Sequence, residues 1–267
     1  MNKQIKKRLG ALLLLCCVVF YTVYGTVSMF SPSDVVENSS TTEEQVIEEE
    51  VIIVERVTQP GWTKEQTLGR IMPNENSLVM RIFYFNTPIR YEYLSNGWVR
   101  VEHNNDYYYI KKEDIANNEF DYNEFSIPSH RDFKSYMAYT AITMKSSPQY
   151  KLQNEYAYTG EYGIRKVNER YCIAIGSHFG ANIGQYVDLI LENGTIIPCI
   201  KGDAKANQDT EDSNIFTRNG CCSEFIIDNS QLHQSARNSG NISNVCDEWK
   251  SQVVAIRVYE ENVFDEK

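Results

Sequence analysis

The 267-residue sequence predicts a mainly β protein that follows an N-terminal transmembrane helix. Residues 9–30 form an apolar run without a charged side chain, which is long enough to span a bilayer. Residues 56–115 and 151–267 each contain short segments of alternating apolar and polar residues between turn signals. We therefore expect two small β-barrels, joined by a connector at 116–150 that contains one short helix.

The N-terminal segment carries the signals of a membrane anchor. Residues 1–8 hold four basic side chains and no acid, and such flanks stay in the cytoplasm. The sequence thus predicts a cytoplasmic tail at 1–8 and a single-pass signal-anchor at 9–30 in the cell membrane, with the C-terminal domains extracytoplasmic. A cleaved signal peptide is the alternative, since Gly25 and Ser28 are small, but the apolar stretch of such peptides is usually only ~7–15 residues.

Residues 31–55 are rich in Ser, Thr and Glu and contain no aromatic residue, which predicts a flexible acidic stalk. The whole chain has a net charge of -10, and its four N-terminal basic residues lie before the anchor. The extracytoplasmic part is therefore strongly acidic. Nucleic acid is excluded as the main partner, because phosphate binding needs concentrated Lys and Arg.

Residues 56–115 read as short strands separated by turns, and about sixty residues of this pattern make a small barrel. The motifs are Leu68, "GRIMP" with Arg70 and Pro73, "SNGW" ending at Trp98, and "YYYI" ending at Ile110. This order resembles the bacterial SH3-like (SH3b) family. The resemblance implies a module that binds cell wall or peptide, with Trp98 in substrate binding. The alternative is that Trp98 and the tyrosines fill the barrel core.

The connector at 116–150 contains apolar residues at helical spacing, which predicts an amphipathic helix over about 131–145 that ends before Pro148. The residues on this stripe are Phe133, Met137, Thr140, Ala141 and Met144. A stripe of this kind is typical of a helix packed on a core.

Residues 151–267 again predict strands, with a hairpin signal at Asn193-Gly194 between two apolar alternating segments. Four motifs recur in order: "NIG" at 182–184, "ENG" at 192–194, "IKGD" ending at Asp203, and "FIIDNS" with Asp228. This order resembles the double-psi β-barrel group, which includes rare-lipoprotein-A-like proteins, the three-aspartate (3D) domain and MltA-type lytic transglycosylases. The resemblance implies peptidoglycan as the ligand.

It also implies a chemistry in which one carboxyl group protonates the leaving oxygen of a glycan bond and the muramyl 6-hydroxyl closes on the anomeric carbon. Asp203 matches the family acid, and Asp228 matches the neighbouring carboxylate whose charge would raise the pKa of that acid. Asp209 is a third candidate for catalysis. The alternatives are that Asp203 is a turn residue and that Asp228 caps a helix.

Three further residues are candidates for substrate binding: Glu224, His178 in "GSHFG", and Lys205. For His178 and Lys205 the alternative is an ordinary solvated position. No zinc-type cysteine spacing, P-loop or nucleophile motif occurs, so the sequence predicts neither a metal nor a cofactor. Five cysteines follow the anchor, an odd number, so at least one thiol stays free or pairs between chains.

These observations predict a membrane-anchored protein of the cell envelope. Its expected partners are peptidoglycan or another wall glycan and, through residues 9–30, the cytoplasmic membrane. Cleavage of the glycan by a lytic transglycosylase mechanism with Asp203 as the acid is one hypothesis. A wall-binding or scaffold protein without catalytic activity, and a surface adhesin, are the alternatives.

Overall fold

The computed structural model describes residues 57–94, 96–130, 133–211 and 213–265. The predicted tail, the anchor at 9–30 and the stalk at 31–55 lie outside the described residues. All described residues belong to one compact unit. Within these ranges, none of the helices has the length and apolar character needed to cross a membrane.

The mainly β prediction is confirmed by two sheets. The first sheet has seven antiparallel strands in the order β3-β2-β6-β5-β4-β1-β7. The strands are β1 (Gln59–Thr63), β2 (Thr67–Arg70), β3 (Val79–Phe83), β4 (Pro88–Tyr93), β5 (Trp98–His103), β6 (Asp106–Lys111) and β7 (Ile115–Ala116).

Alternation along the strands builds the core of the first sheet. Ile89 and Tyr91 of β4 are buried, whereas Arg90 between them is exposed. They pack with Val99 and Val101 of β5, which follow the same period of two. The core therefore lies on one face of the curved sheet, as the sequence pattern predicts.

The second sheet has nine strands and mixed direction. Its main path runs β10-β11-β12-β14-β13-β16-β8, and β15 pairs with both β12 and β9. Two pairs are parallel, β12 with β14 and β15 with β9. The strands are β8 (Tyr122–Ser126), β9 (Ser135–Ala138), β10 (Tyr158–Thr159), β11 (Arg165–Val167), β12 (Arg170–Ile175), β13 (Gln185–Leu191), β14 (Ile196–Ala204), β15 (Ser223–Ile227) and β16 (Val253–Asn262).

Helices are few and short in the described ranges. The helix α1 (Pro148–Lys151) continues into a π-helical turn at Leu152–Tyr156, and α2 (Gln234–Ser239) follows β15. The hairpin predicted at Asn193-Gly194 is confirmed, since it joins the antiparallel strands β13 and β14 and its glycine has φ 83°.

The helix predicted over 131–145 is wrong. Residues 135–138 form β9, which pairs in parallel with β15, and Tyr139–Ala141 form a 3₁₀ turn. Tyr136 packs against one hydrophobic cluster of the second sheet and Met137 against the other. The apolar residues of this segment do have helical spacing. Pairing with the distant strand β15 outweighs that local pattern, so successive side chains point to opposite faces of the sheet.

Both faces of the second sheet are covered. Ile173 and Ile175 of β12 belong to one cluster, and Cys172, between Tyr171 and Ile173, belongs to the other. This second cluster also contains Phe85, which lies between β3 and β4 of the first sheet. The Phe85 ring meets Tyr186 and Tyr259 edge-on at centroid distances of 5.3 and 5.1 Å, so the two sheets share a hydrophobic junction.

Candidate functional site

Four residues form a row across the second sheet at the end of β14. Asp203 of β14 lies opposite Ala174 of β12, and Glu224 of β15 lies opposite the same Ala174 from the other side. Ser135 of β9 then lies opposite Glu224. Residues paired across neighbouring strands point to the same face of a sheet. Two carboxylates and one hydroxyl, separated by a small residue, therefore share one surface, which we call the strand-end row.

The row depends on an irregularity in β14. The register between β12 and β14 shifts after Ile173, so that Asp203 rather than Gly202 pairs with Ala174. A Cβ at Gly202 would lie 2.7 Å from Cδ1 of Ile226, which explains why glycine precedes the acid. Bulges of this type often redirect a side chain next to a functional site.

Lys205 connects the carboxylates of the strand-end row. Its Nζ forms an ion pair with Oε2 of Glu224, and the two side chains are 17% and 15% exposed. Burial lowers the pKa of the Lys205 ammonium, and the negative charge of Asp203 opposes that shift. Oγ of Ser135 also donates to Oε1 of Glu224 at 3.4 Å. The positive charge of Lys205 thus interacts with both carboxylates.

Asp203 itself is half-buried, and its Oδ1 accepts a hydrogen bond from the backbone N–H of Ala204 at 2.8 Å. The carboxylate of Asp203 is therefore partly accessible to solvent, and its two oxygens can accept further hydrogen bonds. The site combines acceptor oxygens with one ammonium group, and this combination suits a polar ligand that carries hydroxyl or amide groups.

The structure does not bring Asp228 to Asp203. Asp228 follows the opposite end of β15, four positions beyond Glu224, which corresponds to roughly 13 Å along a strand. Its Oδ1 accepts hydrogen bonds from the N–H and Oγ of Ser230, at 2.9 and 2.6 Å. These bonds hold the pKa of Asp228 below its usual range. Asp228 therefore stabilises a turn at the end of β15 that is opposite to Glu224.

Asp209 and His178 lie on loops beyond the same end of the parallel strands β12 and β14. Both are exposed, each in a 3₁₀ turn. Oγ of Ser177 donates to Oδ1 of Asn207 at 2.8 Å and links the two turns. The charge of Asp209 acts on Lys205, whereas the His178 ring packs edge-on against Phe179 at 5.2 Å. Both residues border the loop region beyond the strand-end row.

Trp98 lies on the first sheet, apart from the strand-end row. It is half-buried at the start of β5 and lies outside the buried cluster of that sheet. It lines a cavity of about 280 Å³ together with Arg70 and Glu75. Nζ of Lys111 forms an ion pair with Oε1 of Glu75 at 2.7 Å beside the cavity. The predicted site residues thus occupy two regions, and Asp228 occupies a third.

Two cysteines near these elements, Cys221 and Cys222, were not among the predicted site residues. Cys221 is buried and hydrogen-bonded to Ser135, and burial raises the pKa of its thiol. Sγ of Cys222 lies 3.9 Å from Nε2 of His130, a pair that is separated by 92 positions and has no local signal. A Cys–His pair is a possible nucleophile and base. Burial, however, raises the pKa of Cys222 to about 12, which keeps the thiol neutral and unreactive.

Among the residues that the structure describes, no group of three or more His, Cys, Asp or Glu side chains is placed to hold a metal ion. The five cysteines of this part of the chain are all free thiols. Comparison of the chain with protein-family models, with curated proteins and with solved structures gives no match.

Proposed function

We propose that this chain is a membrane-anchored protein of the cell envelope that binds peptidoglycan through its extracytoplasmic domains. The apolar run at 9–30 and its basic flank support the anchor. The first sheet supports an SH3-like wall-binding module, since Trp98 lines a cavity at its surface. The second sheet supports a barrel of the double-psi type, with parallel β12 and β14 ending beside Asp203.

The position of Lys205 is the observation that favours binding of the glycan over its cleavage. A glycan-cleaving acid must hold a proton at the working pH, and this requires an apolar wall or a neighbouring negative charge. Instead, the ammonium of Lys205 pairs with Glu224 and is attracted by Asp203. The carboxyl oxygens of this cluster can accept hydrogen bonds from hydroxyl, amide or amino groups of a wall fragment.

Lytic transglycosylase cleavage is the second candidate, because Asp203 and Glu224 flank the same residue in one half-buried row. In this case Asp203 would protonate the leaving glycosidic oxygen as its bond to the anomeric carbon breaks. The muramyl 6-hydroxyl would attack that carbon and give its proton to the Asp203 carboxylate, with no water consumed. The mechanism requires that a bound glycan displace Lys205 from the carboxylates.

The test uses the full chain, solubilised in detergent, with purified insoluble peptidoglycan. Cosedimentation without release of anhydro-muropeptides supports the binding function. Release of these products by the wild type but not by Asp203→Asn supports cleavage. An Asp247→Asn variant is the matched control, since Asp247 is an exposed acid in a 3₁₀ turn that contributes no residue to the strand-end row. Failure to sediment with the wall overturns both candidates and favours a surface adhesin.

A further inference from the structure

A second cavity, of about 580 Å³, lies where the two sheets meet. The first sheet contributes the loop between β1 and β2, with Gln66, and the segment after β3, with Tyr84. The second sheet contributes the turn between β11 and β12 and Arg170, the first residue of β12. We call this cavity the junction cleft. It contains neither Trp98 nor any member of the strand-end row, and its size is typical of sites for small ligands.

The floor of the junction cleft is built from buried aromatic rings. Phe85 and Tyr186 are both buried and line it. The Arg170 guanidinium lies 4.7 Å from the ring centroid of Tyr186 and 5.6 Å from that of Phe85. Tyr84 lines the same cleft but is 42% exposed, so part of its ring is available to a ligand. The cleft thus combines a floor of buried aromatic residues with a partly exposed tyrosine.

The charges of the cleft are compensated within the protein. Arg170 forms its ion pair with Asp188, and Oε2 of Glu169 accepts from Nζ of Lys166 at 2.7 Å. Lys64 and Glu65, the other charged lining residues, are exposed and of opposite sign. Because no net charge remains to be balanced, the lining favours a neutral polar ligand over an anion or a cation.

Two buried polar atoms of the lining residues have no hydrogen-bond partner. They are Nη1 of Arg170, a residue that is 2% exposed, and Oε1 of Gln66. A buried donor or acceptor without a partner destabilises the folded protein, and a ligand that supplies the partner removes that cost. The first is a donor and the second an acceptor, so one ligand hydroxyl can accept from Arg170 and another can donate to Gln66.

We propose that the junction cleft binds a neutral saccharide, with a sugar face against Tyr84 and hydroxyl groups bonded to Arg170 and Gln66. Sugars present apolar C–H faces together with groups that both donate and accept, which matches the exposed ring and the two unpaired atoms. The assignment deepens the peptidoglycan function and rests on it for the choice of sugar, an oligomer of β-1,4-linked N-acetylglucosamine.

The experiment is calorimetric titration of the full chain in detergent micelles with the soluble tetramer of β-1,4-linked N-acetylglucosamine. Tyr84→Ala should weaken binding about tenfold, as truncation of a central aromatic residue does. Gln66→Ala should also weaken it. Tyr93→Ala is the matched control, because Tyr93 is an exposed tyrosine of the first sheet that does not line the cleft, and it should leave the affinity unchanged. Affinity should not depend on salt concentration, since the ligand is neutral.

No titration signal with the tetramer, or an equal loss in Tyr84→Ala and Tyr93→Ala, would overturn the proposal. Strong weakening by salt would also overturn it, because it indicates a charged ligand. The two proposals can fail independently. If the protein sediments with the wall but does not bind the tetramer, the junction cleft is not the glycan site, and the peptidoglycan-binding function stands. If it binds the tetramer but does not sediment with the wall, the cleft is supported as a saccharide site, and the wall is ruled out as its ligand.

Discussion

Arg170 and Asp188 form an ion pair in the interior of the second sheet, with side chains only 3% and 5% exposed. Arg170 also donates from Nε to the carbonyl of Cys199 at 2.7 Å and from Nη2 to the carbonyl of Val187 at 3.0 Å. Oη of Tyr259 donates to Oδ2 of Asp188 at 2.8 Å. One pair thereby joins β12, β13, β14 and β16.

Asp188→Ala should destabilise the protein by about 3–5 kcal/mol, because removing one partner leaves the other charge buried and uncompensated. The measurement is the free energy of unfolding from urea denaturation of the wild type and the variant. Asp247→Ala, which removes an exposed pair with Lys250, is the control and should show no measurable change. Equal effects in the two variants would contradict the structural role assigned to the buried pair.

Asp228→Ala should cost about 1 kcal/mol near neutral pH, because Ser230 loses its acceptor. The pKa of Asp228 is lowered by these bonds, so their stabilisation is complete above the ordinary carboxyl pKa of about 4 and is lost as the pH falls through the lowered value. Thermal unfolding at a series of pH values should therefore show the two proteins converging in acid. Asp228→Asn keeps a side-chain oxygen and should lose less stability than Asp228→Ala. A change in wall binding in either variant would contradict a role of Asp228 that is confined to the turn.

Cys172, Cys199 and Cys222 should not react with N-ethylmaleimide in the native protein. Burial raises the pKa of Cys172 and Cys222 to about 12 and that of Cys199 well above the ordinary thiol value. Cys246 is only half-buried and should be labelled first among the cysteines of the described ranges. Mass spectrometry of peptides from native and denatured samples measures this order. Rapid native labelling of Cys222 would instead indicate a reactive thiol beside His130.

Lys205→Met should destabilise the protein by about 1–3 kcal/mol at neutral pH, because the carboxylate of Glu224 keeps its burial but loses its cation. Urea denaturation of the wild type and the variant at neutral pH measures this loss. In the double variant with Glu224→Gln the charges are removed together, and the stability should be largely recovered; additive losses would show that the two side chains are not coupled.

The sequence was sufficient to predict features that depend on neighbouring residues. The alternation of Ile89 and Tyr91 with polar residues, and the turn at Gly194, are local signals of strands and hairpins. The segment 135–138 could not be assigned in this way, since its strand exists only through pairing with β15, almost ninety residues later.

In the candidate site, too, only the features with a local sequence signal could be predicted. Gly202 and Asp203 could be identified from a motif at a strand end. The approach of Glu224 and Lys205 to Asp203 could not, because it requires two separate strands to pair with β12 on either side of Ala174. Asp228 resembled a site residue in its sequence context, and only the direction and length of β15 place it away from the row.

The Phe85 ring contacts both Tyr186 and Tyr259, and these contacts couple the thermal unfolding of the two sheets. Melting either sheet alone would expose an aromatic surface of the other to water, which is costly. The two sheets should accordingly melt together, as a single calorimetric peak. A fragment that contains only one of the two sheets should be partly folded and prone to aggregation.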